Sequence, residues 1–234
     1  MATDALKNKK IGEIVADDYR AAKIFKDAGI DFCCGGNKSV EVACNEKNID
    51  QQKLLSEIEL LALSSPDSHH DFKNWDISFL ADFIVNTHHK YVMKSLPDLV
   101  FYTQKIADVH GNNHPELKEV ASLFSEINRE LLQHLKQEEE VLFPAIKEVI
   151  KNNTPGAKTT IKVEISRMNG EHEFAGGAMD KINEITKGYA VPSDGCNTYR
   201  LAFKLLEDFE NDLHTHVHLE NNILFPKALT LANQ

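Results

Sequence analysis

Two stretches decide how this chain folds: HLKQEEEVLFP, His134 to Pro144, and HVHLENNILFP, His216 to Pro226. Both fit His-x-x-x-Glu-x-x-[Val/Ile]-Leu-Phe-Pro. Residues four apart in an α-helix leave from one face, a single turn apart. Each stretch therefore offers one metal an imidazole and a carboxylate. Two such stretches in one chain predict two metals, or one pair, between helices, because a dinuclear site in a bundle draws its ligands from facing helices.

Outward from these stretches, apolar residues recur at steps of three and four along four long segments. The first spans about Ile77 to Val109, with a kink expected at Pro97 and the stripe Val85, His89, Val92, Leu96, Leu99, Thr103 and Ile106. The second, about Pro115 to Val149, carries Phe124, Ile127, Leu131, His134, Glu138 and Val141. KNNTPGAK then breaks the chain. The third, about Thr160 to Lys187, aligns Ile161, Ile165, Met168, His172, Ala175, Met179 and Ile182; after GYAVPSDG the fourth, about Asn197 to Leu231, aligns Leu206, Phe209, Leu213, His216, Glu220 and Ile223. Such stripes are the seams of an antiparallel four-helix bundle in an all-α protein.

Six seam positions hold polar residues where packing wants Leu or Ile: His89, His134, Glu138, His172, His216 and Glu220. An ionised carboxylate buried without a partner costs several kcal/mol or more, and no Lys or Arg lies beside these two in the seams. A bound cation pair resolves the conflict. His134 and His216 are 82 residues apart and His89 and His172 are 83 apart, so each half supplies one His and later one His-x-x-x-Glu. The neighbouring His88 is the alternative to His89, but it worsens both the repeat and the apolar stripe. Mixed imidazole and carboxylate ligation suits iron, manganese or zinc. If Glu138 and Glu220 both bridge and each ion takes two histidines, a six-coordinate ion keeps about two positions for water, an oxo or hydroxo bridge, or an outside ligand. The Leu-Phe-Pro tails read as packing and a helix bend, Met168 and Met179 as core. His110, His114, His214 and His218 read as surface, helix-end or supporting residues.

The N-terminal part reads differently. Asp17 to Asp27 forms a short amphipathic helix stopped by Gly29. In IDFCCGGNKS, Gly35 and Gly36 permit backbone angles closed to other residues, which sets Cys33 and Cys34 on or beside a tight turn. Ser39 caps a helix through about Lys47, and another runs from about Asp50 to Leu63 with Leu54, Leu55, Ile58 and Leu61 inward. SSPDSHHDFKN, residues 64 to 74, is polar, carries a Pro and has no apolar face, as a linker does; His69 and His70 there read as solvated. The expected organisation is a small helical cysteine-bearing domain at 1–64, a linker at 65–75 and the bundle at 76–234.

The 234 residues carry 26 Lys and Arg against 36 Asp and Glu, a net charge of -10. That balance disfavours nucleic acid and anionic membranes, which select basic patches, and leaves metal ions, small molecules or proteins as partners. No apolar run approaches the roughly 18 residues of a membrane span, and the first twenty residues lack a signal-peptide core; a cytoplasmic protein is expected. Cys33, Cys34, Cys44 and Cys196 are too few for a disulfide scaffold and form no paired zinc pattern, so reduced thiols are expected.

DFCCGG, followed by HLKQEEEVLFP, NGEHEFAGG and HVHLENNILFP, resembles the RIC family, the di-iron proteins that repair iron-sulfur clusters, over nearly the whole chain. The resemblance implies a hemerythrin-like bundle behind a cysteine-bearing domain. It implies two non-haem irons on His89, His134, Glu138, His172, His216 and Glu220, with both glutamates bridging, and a role for Cys33 and Cys34 in handling iron or nitric oxide. A homodimer is the family expectation. The last ligand motif departs from oxygen-carrying hemerythrins, where a His is followed at longer spacing by Asp, so simple oxygen carriage is disfavoured. The expected function is repair of clusters damaged by nitric oxide or oxidants through donation of iron to damaged iron-sulfur proteins. Two other readings use the same residues: an enzyme reducing nitric oxide at adjacent irons, and a sensor of oxygen or nitric oxide.

Overall fold

The computed structural model describes residues 6–63 and 71–234. Residues 64–70, with most of the expected linker and His69 and His70, lie outside the described residues. Among the described residues the chain is all-α: there is no strand, and one isolated antiparallel bridge joins Lys10 to Ser39. No helix among them is long and apolar enough to cross a membrane. Contacts gather the chain into two units, Met1–Leu80 with Val217–Thr230, and Ala81–His216 with Leu231–Gln234.

The first unit contains α1 (Ile11–Asp17), α2 (Ala21–Asp27), α3 (Val40–Lys47) and α4 (Gln51–Ala62). The expected single helix over Asp17 to Asp27 is thus two. Asp18 leaves the helix in an extended conformation, and its carboxylate accepts the backbone N–H of Arg20 at 3.1 Å while pairing with the Arg20 guanidinium. This side-chain turn competes with helix continuation. Helix α1 went unread although Ile11, Ile14 and Val15 bury one face of it. Gly29 stops α2 as expected, at φ +68, with the Ile30 N–H reaching back to the Phe25 carbonyl at 2.8 Å in a Schellman-type closure. Ser39 caps α3 by accepting from the Val42 N–H, and Asp50 caps α4 through the N–H groups of Gln52 and Lys53. Within the expected linker, Phe72 is buried, packed edge-on against Tyr19 and Trp75 at 5.7 and 4.8 Å.

Asp31 builds the cysteine loop. Its carboxylate accepts the N–H groups of Cys33 (2.8 Å), Cys34 (3.1 Å) and Gly35 (2.7 Å). Gly35 and Gly36 do not take left-handed angles; among the described glycines only Gly29 and Gly188 do. What they supply is space. A Cβ on Gly36 would sit 2.7 Å from the Phe32 carbonyl oxygen and 2.6 Å from Asn222 Oδ1. Asn222 Nδ2 in turn donates to the carbonyls of Phe32 (3.3 Å) and Cys33 (3.1 Å).

The bundle helices are α5 (Ile77–Ile84) running through a wider turn into α6 (Lys90–His110), then α7 (Glu116–Gln137) and α8 (Phe143–Asn152), α9 (Pro155–Ile185), and α10 (Asn197–Leu219) followed by α11 (Phe225–Ala232). In the second unit α6 packs on α7 and α7 on α9, while Phe124 of α7 meets Phe209 of α10 edge-on at 5.4 Å. The expected stripes are buried except at two positions. Val85 and Val141 are only half-buried, and Ile84 and Leu142 are buried instead. Helix α9 starts at Pro155, earlier than expected, because a Pro in the first turn lacks only an N–H that would have no intrahelical partner. Helix α6 contains Pro97.

Candidate metal centre

From His134 to Glu138, and again from His216 to Glu220, the backbone is regular α-helix up to the second residue of each pair. His and Glu therefore project from one face, as their spacing requires. The helix widens immediately afterwards. Glu138–Leu142 and Glu220–Leu224 are π-turns, in which the N–H of Phe143 bonds back to the Glu138 carbonyl and that of Phe225 to the Glu220 carbonyl. A third π-turn, Val85–His89, ends on His89. Single π-turns inside α-helices frequently mark functional sites.

The structure brings the six expected residues into two interleaved groups. His89, Glu138, His216 and Glu220 place ligand atoms within 4.8 Å of one another, and so do His134, Glu138, His172 and Glu220. Glu220 follows His216 by one turn of an unbroken helix, which fixes its place. All six side chains are at most 3% exposed. His89 Nε2 lies 3.4 Å and His134 Nε2 3.3 Å from Glu138 Oε2, and the Nε2 atoms of His134 and His172 approach to 3.1 Å. Among the described residues, no Lys or Arg is buried anywhere. Four imidazoles and two carboxylates converging away from every fixed cation form a donor set of the kind that divalent transition metals select, so the residues present fit a metal.

The opposite ring nitrogens are held from outside. His89 Nδ1 donates to Glu139 Oε1 at 2.8 Å, and His134 Nδ1 donates to Glu171 Oε2 at 2.7 Å. These bonds orient the rings and leave each Nε2 lone pair facing the interior. The hydrogen bond from His134, followed by the charges of His134 and Arg167, outweighs partial burial and holds the Glu171 carboxyl below the ordinary range. His88 belongs to neither group. Its Nδ1 contacts Asp212 Oδ1 at 2.9 Å and its ring lies parallel to that of His216, with centroids 5.6 Å apart.

Cys33 and Cys34 form a third group with Asp31. The Cys33 thiol donates to Asp31 Oδ1 at 3.1 Å, and its sulfur is 3.8 Å from that of Cys34. Cys33 is buried, and its pKa is pushed well up, first by Cys34, then by burial and Asp31. His218, read as a surface, helix-end or supporting residue, is fully buried. It lies beside Phe32 and Tyr19 with Nδ1 3.2 Å from Asn222 Nδ2, and burial pulls its pKa down to about 4. Sequence reasoning placed Cys196 only among the reduced thiols. Standing just before α10, it is pulled down to about 7 by the Tyr199 backbone N–H and then by His110, whose Nε2 is 3.2 Å away. A cysteine at the start of a long helix was the available signal, because helix N-termini stabilise thiolates.

Residues 7–62 match the family ScdA_N, described as a domain of unknown function, and residues 81–228 match the hemerythrin HHE cation binding domain. Over 223 residues the chain is 32% identical to the iron-sulfur cluster repair protein ScdA of Staphylococcus epidermidis, covering 95% of this chain and 98% of that one. It is 33% identical to the iron-sulfur cluster repair protein YtfE of Yersinia pseudotuberculosis, covering 95% and 97%, and equally to YtfE of Yersinia pestis.

Proposed function

The chain belongs to the family of iron-sulfur cluster repair proteins that carry a hemerythrin HHE cation-binding domain, and we propose that it repairs clusters damaged by nitrosative or oxidative stress by giving up iron from a dinuclear centre. One observation carries the reading: the two buried donor groups share Glu138 and Glu220. Shared carboxylates are how few residues serve two adjacent ions. In this assignment Glu138 and Glu220 would serve both irons, with His89 and His216 holding one and His134 and His172 the other. The bound pair supplies redox chemistry and releasable iron.

The chain's own residues control that release. Glu139 and Glu171 accept hydrogen bonds from Nδ1–H of His89 and His134 and aim the Nε2 lone pairs inward. Glu138 and Glu220 belong to both donor groups, so protonating either carboxylate would weaken the hold on both irons together. Cys33 and Cys34, with Asp31 beside them, are the thiols assigned to take up iron. The raised pKa of Cys33 means that it keeps its proton until a metal displaces it. Damaged iron-sulfur proteins are the proposed acceptors, nitric oxide or oxygen the proposed small ligands, the cytoplasm the proposed compartment and a homodimer the proposed assembly.

Glu138→Ala and Glu220→Ala variants are expected to lose most of their iron; either variant holding both irons would end the bridging assignment. Iron-loaded protein mixed with an enzyme whose cluster has been destroyed by nitric oxide is expected to restore activity as its own iron content falls. Steady consumption of nitric oxide with an electron donor, and no cluster restored, would replace iron donation with the reductase reading.

A further inference from the structure

Helices α9 and α10, which carry His172 and His216, also bring together Asp180, Glu210 and His214, whose ligand atoms lie within 4.8 Å of one another. This cluster is separate from the buried centre. His214 and His216 are two residues apart on one helix, so their side chains leave about 200° apart around its axis. Glu210 and His214 are at i,i+4 on α10, the spacing that gives one ion two ligands from one face, and Asp180 adds a carboxylate from α9.

The three residues are graded from inside to outside. Glu210 is 3% exposed, His214 half-buried and Asp180 exposed. Asn183 Nδ2 donates to both Glu210 oxygens at 3.1 Å. Tyr189 lies against the same carboxylate. It is 8% exposed, and its hydroxyl approaches Glu210 and Asn183 without reaching ideal hydrogen-bond geometry. Burial raises its pKa first, and the negative charge of Glu210 raises it further, so the hydroxyl lies beside the Glu210–Asn183 pair. A buried phenol directed at a buried carboxylate suits a place where an oxygen ligand of a cation is to be hydrogen-bonded.

We infer that Asp180, Glu210 and His214 form a second, mononuclear site for a divalent first-row metal cation, open to solvent on the Asp180 side. The imidazole selects against calcium and magnesium, which take oxygen ligands, and the two carboxylates favour manganese, ferrous iron or zinc. Three protein ligands leave positions open, so the ion is exchangeable, unlike one enclosed by the buried groups.

The test uses full-length protein whose iron content has been measured, titrated with Mn2+ and followed by loss of the free-ion electron paramagnetic resonance signal. The wild type is expected to bind one Mn2+ per chain beyond its iron. Asp180→Asn, a substitution at an exposed position, and His214→Ala are each expected to weaken that binding about tenfold or more, with iron content and near-ultraviolet absorption unchanged. Absence of the extra Mn2+ in the wild type, or undiminished binding in both variants, would overturn the inference. Binding that is lost together with the iron would assign the extra ion to the buried centre and overturn it as well.

Discussion

Removing the carboxylate that orients His134 tests whether the buried donors form a metal centre at all. Glu171 accepts from His134 Nδ1 at 2.7 Å, and its side chain is 30% exposed with Arg167 Nε 3.7 Å away. Outer partners of metal-bound histidines are typically worth 10- to 100-fold in affinity, or about 1.4 to 2.7 kcal/mol. Glu139 does the same for His89 at 2.8 Å but is 43% exposed, so water substitutes for it more readily. Glu171→Ala is therefore expected near the upper end of that range and Glu139→Ala near the lower. Glu171→Gln keeps an acceptor oxygen, and with it the tautomer, while removing the charge; it falls between wild type and Ala. The assay is iron retained per chain against a fixed concentration of chelator, with the exposed neighbour Glu173→Ala as control. If Glu171→Ala holds iron as the wild type does, or Glu173→Ala loses as much, Nδ1 is not what positions the inward nitrogen and the argument fails.

His89→Ala is expected to abolish binding of at least one iron, whereas His88→Ala, outside both donor groups, keeps both with a shifted absorption spectrum; equal iron loss would put His88 in the centre. Cys196 titrates near 7: it is protonated below that pH and thiolate above it. Its alkylation by iodoacetamide, read by peptide mass spectrometry, is expected to rise through that pH while Cys33 stays unlabelled, and His110→Ala is expected to move the midpoint upward. Gly36→Ala forces a Cβ onto the Phe32 carbonyl oxygen and Asn222. It is expected to cost about 1–3 kcal/mol and to speed labelling of Cys33 as the loop opens; thermal melting and labelling rate check both.

Most of the bundle was legible because burial and helix periodicity act together over long segments: Phe124, Ile127 and Leu131, or Leu206, Phe209 and Leu213, repeat at helical spacing and are all buried. The six candidate ligands stood out for the same reason, as polar residues in register with that core. What escaped was set by side-chain turns or by contacts distant in sequence. Asp18 capturing the Arg20 N–H splits a helix that periodicity alone continues. Gly36 looks like a residue chosen for its backbone angles, yet its φ is ordinary, and the reason for it is Asn222, nearly two hundred positions away. The choice between His88 and His89 rested on repeat spacing, and only the ring positions separate a residue facing Glu138 from one facing Asp212.

The two misplaced core residues have one cause, and it explains why the ligand spacing could be read at all. A π-turn takes one more residue than an α-turn. Counting four back from His89 gives Val85, but the turn between them is widened, and Ile84 is the residue that reaches the core. Counting three on from Glu138 gives Val141, and for the same reason Leu142 is buried in its place. The widening begins at Glu138 and Glu220 and leaves the His134–Glu138 and His216–Glu220 turns regular, so the four-residue spacing keeps its meaning where it matters. Phe143-Pro144 and Phe225-Pro226 follow directly. A Pro has no N–H to continue the ladder, and it stands where the widened turn has already displaced the regular bond. The Leu-Phe-Pro tails, read as packing and a helix bend, thus stand where the distortion that begins at each candidate bridging carboxylate ends. No Pro follows the π-turn at Val85–His89, and there the sequence alone carries no sign of it.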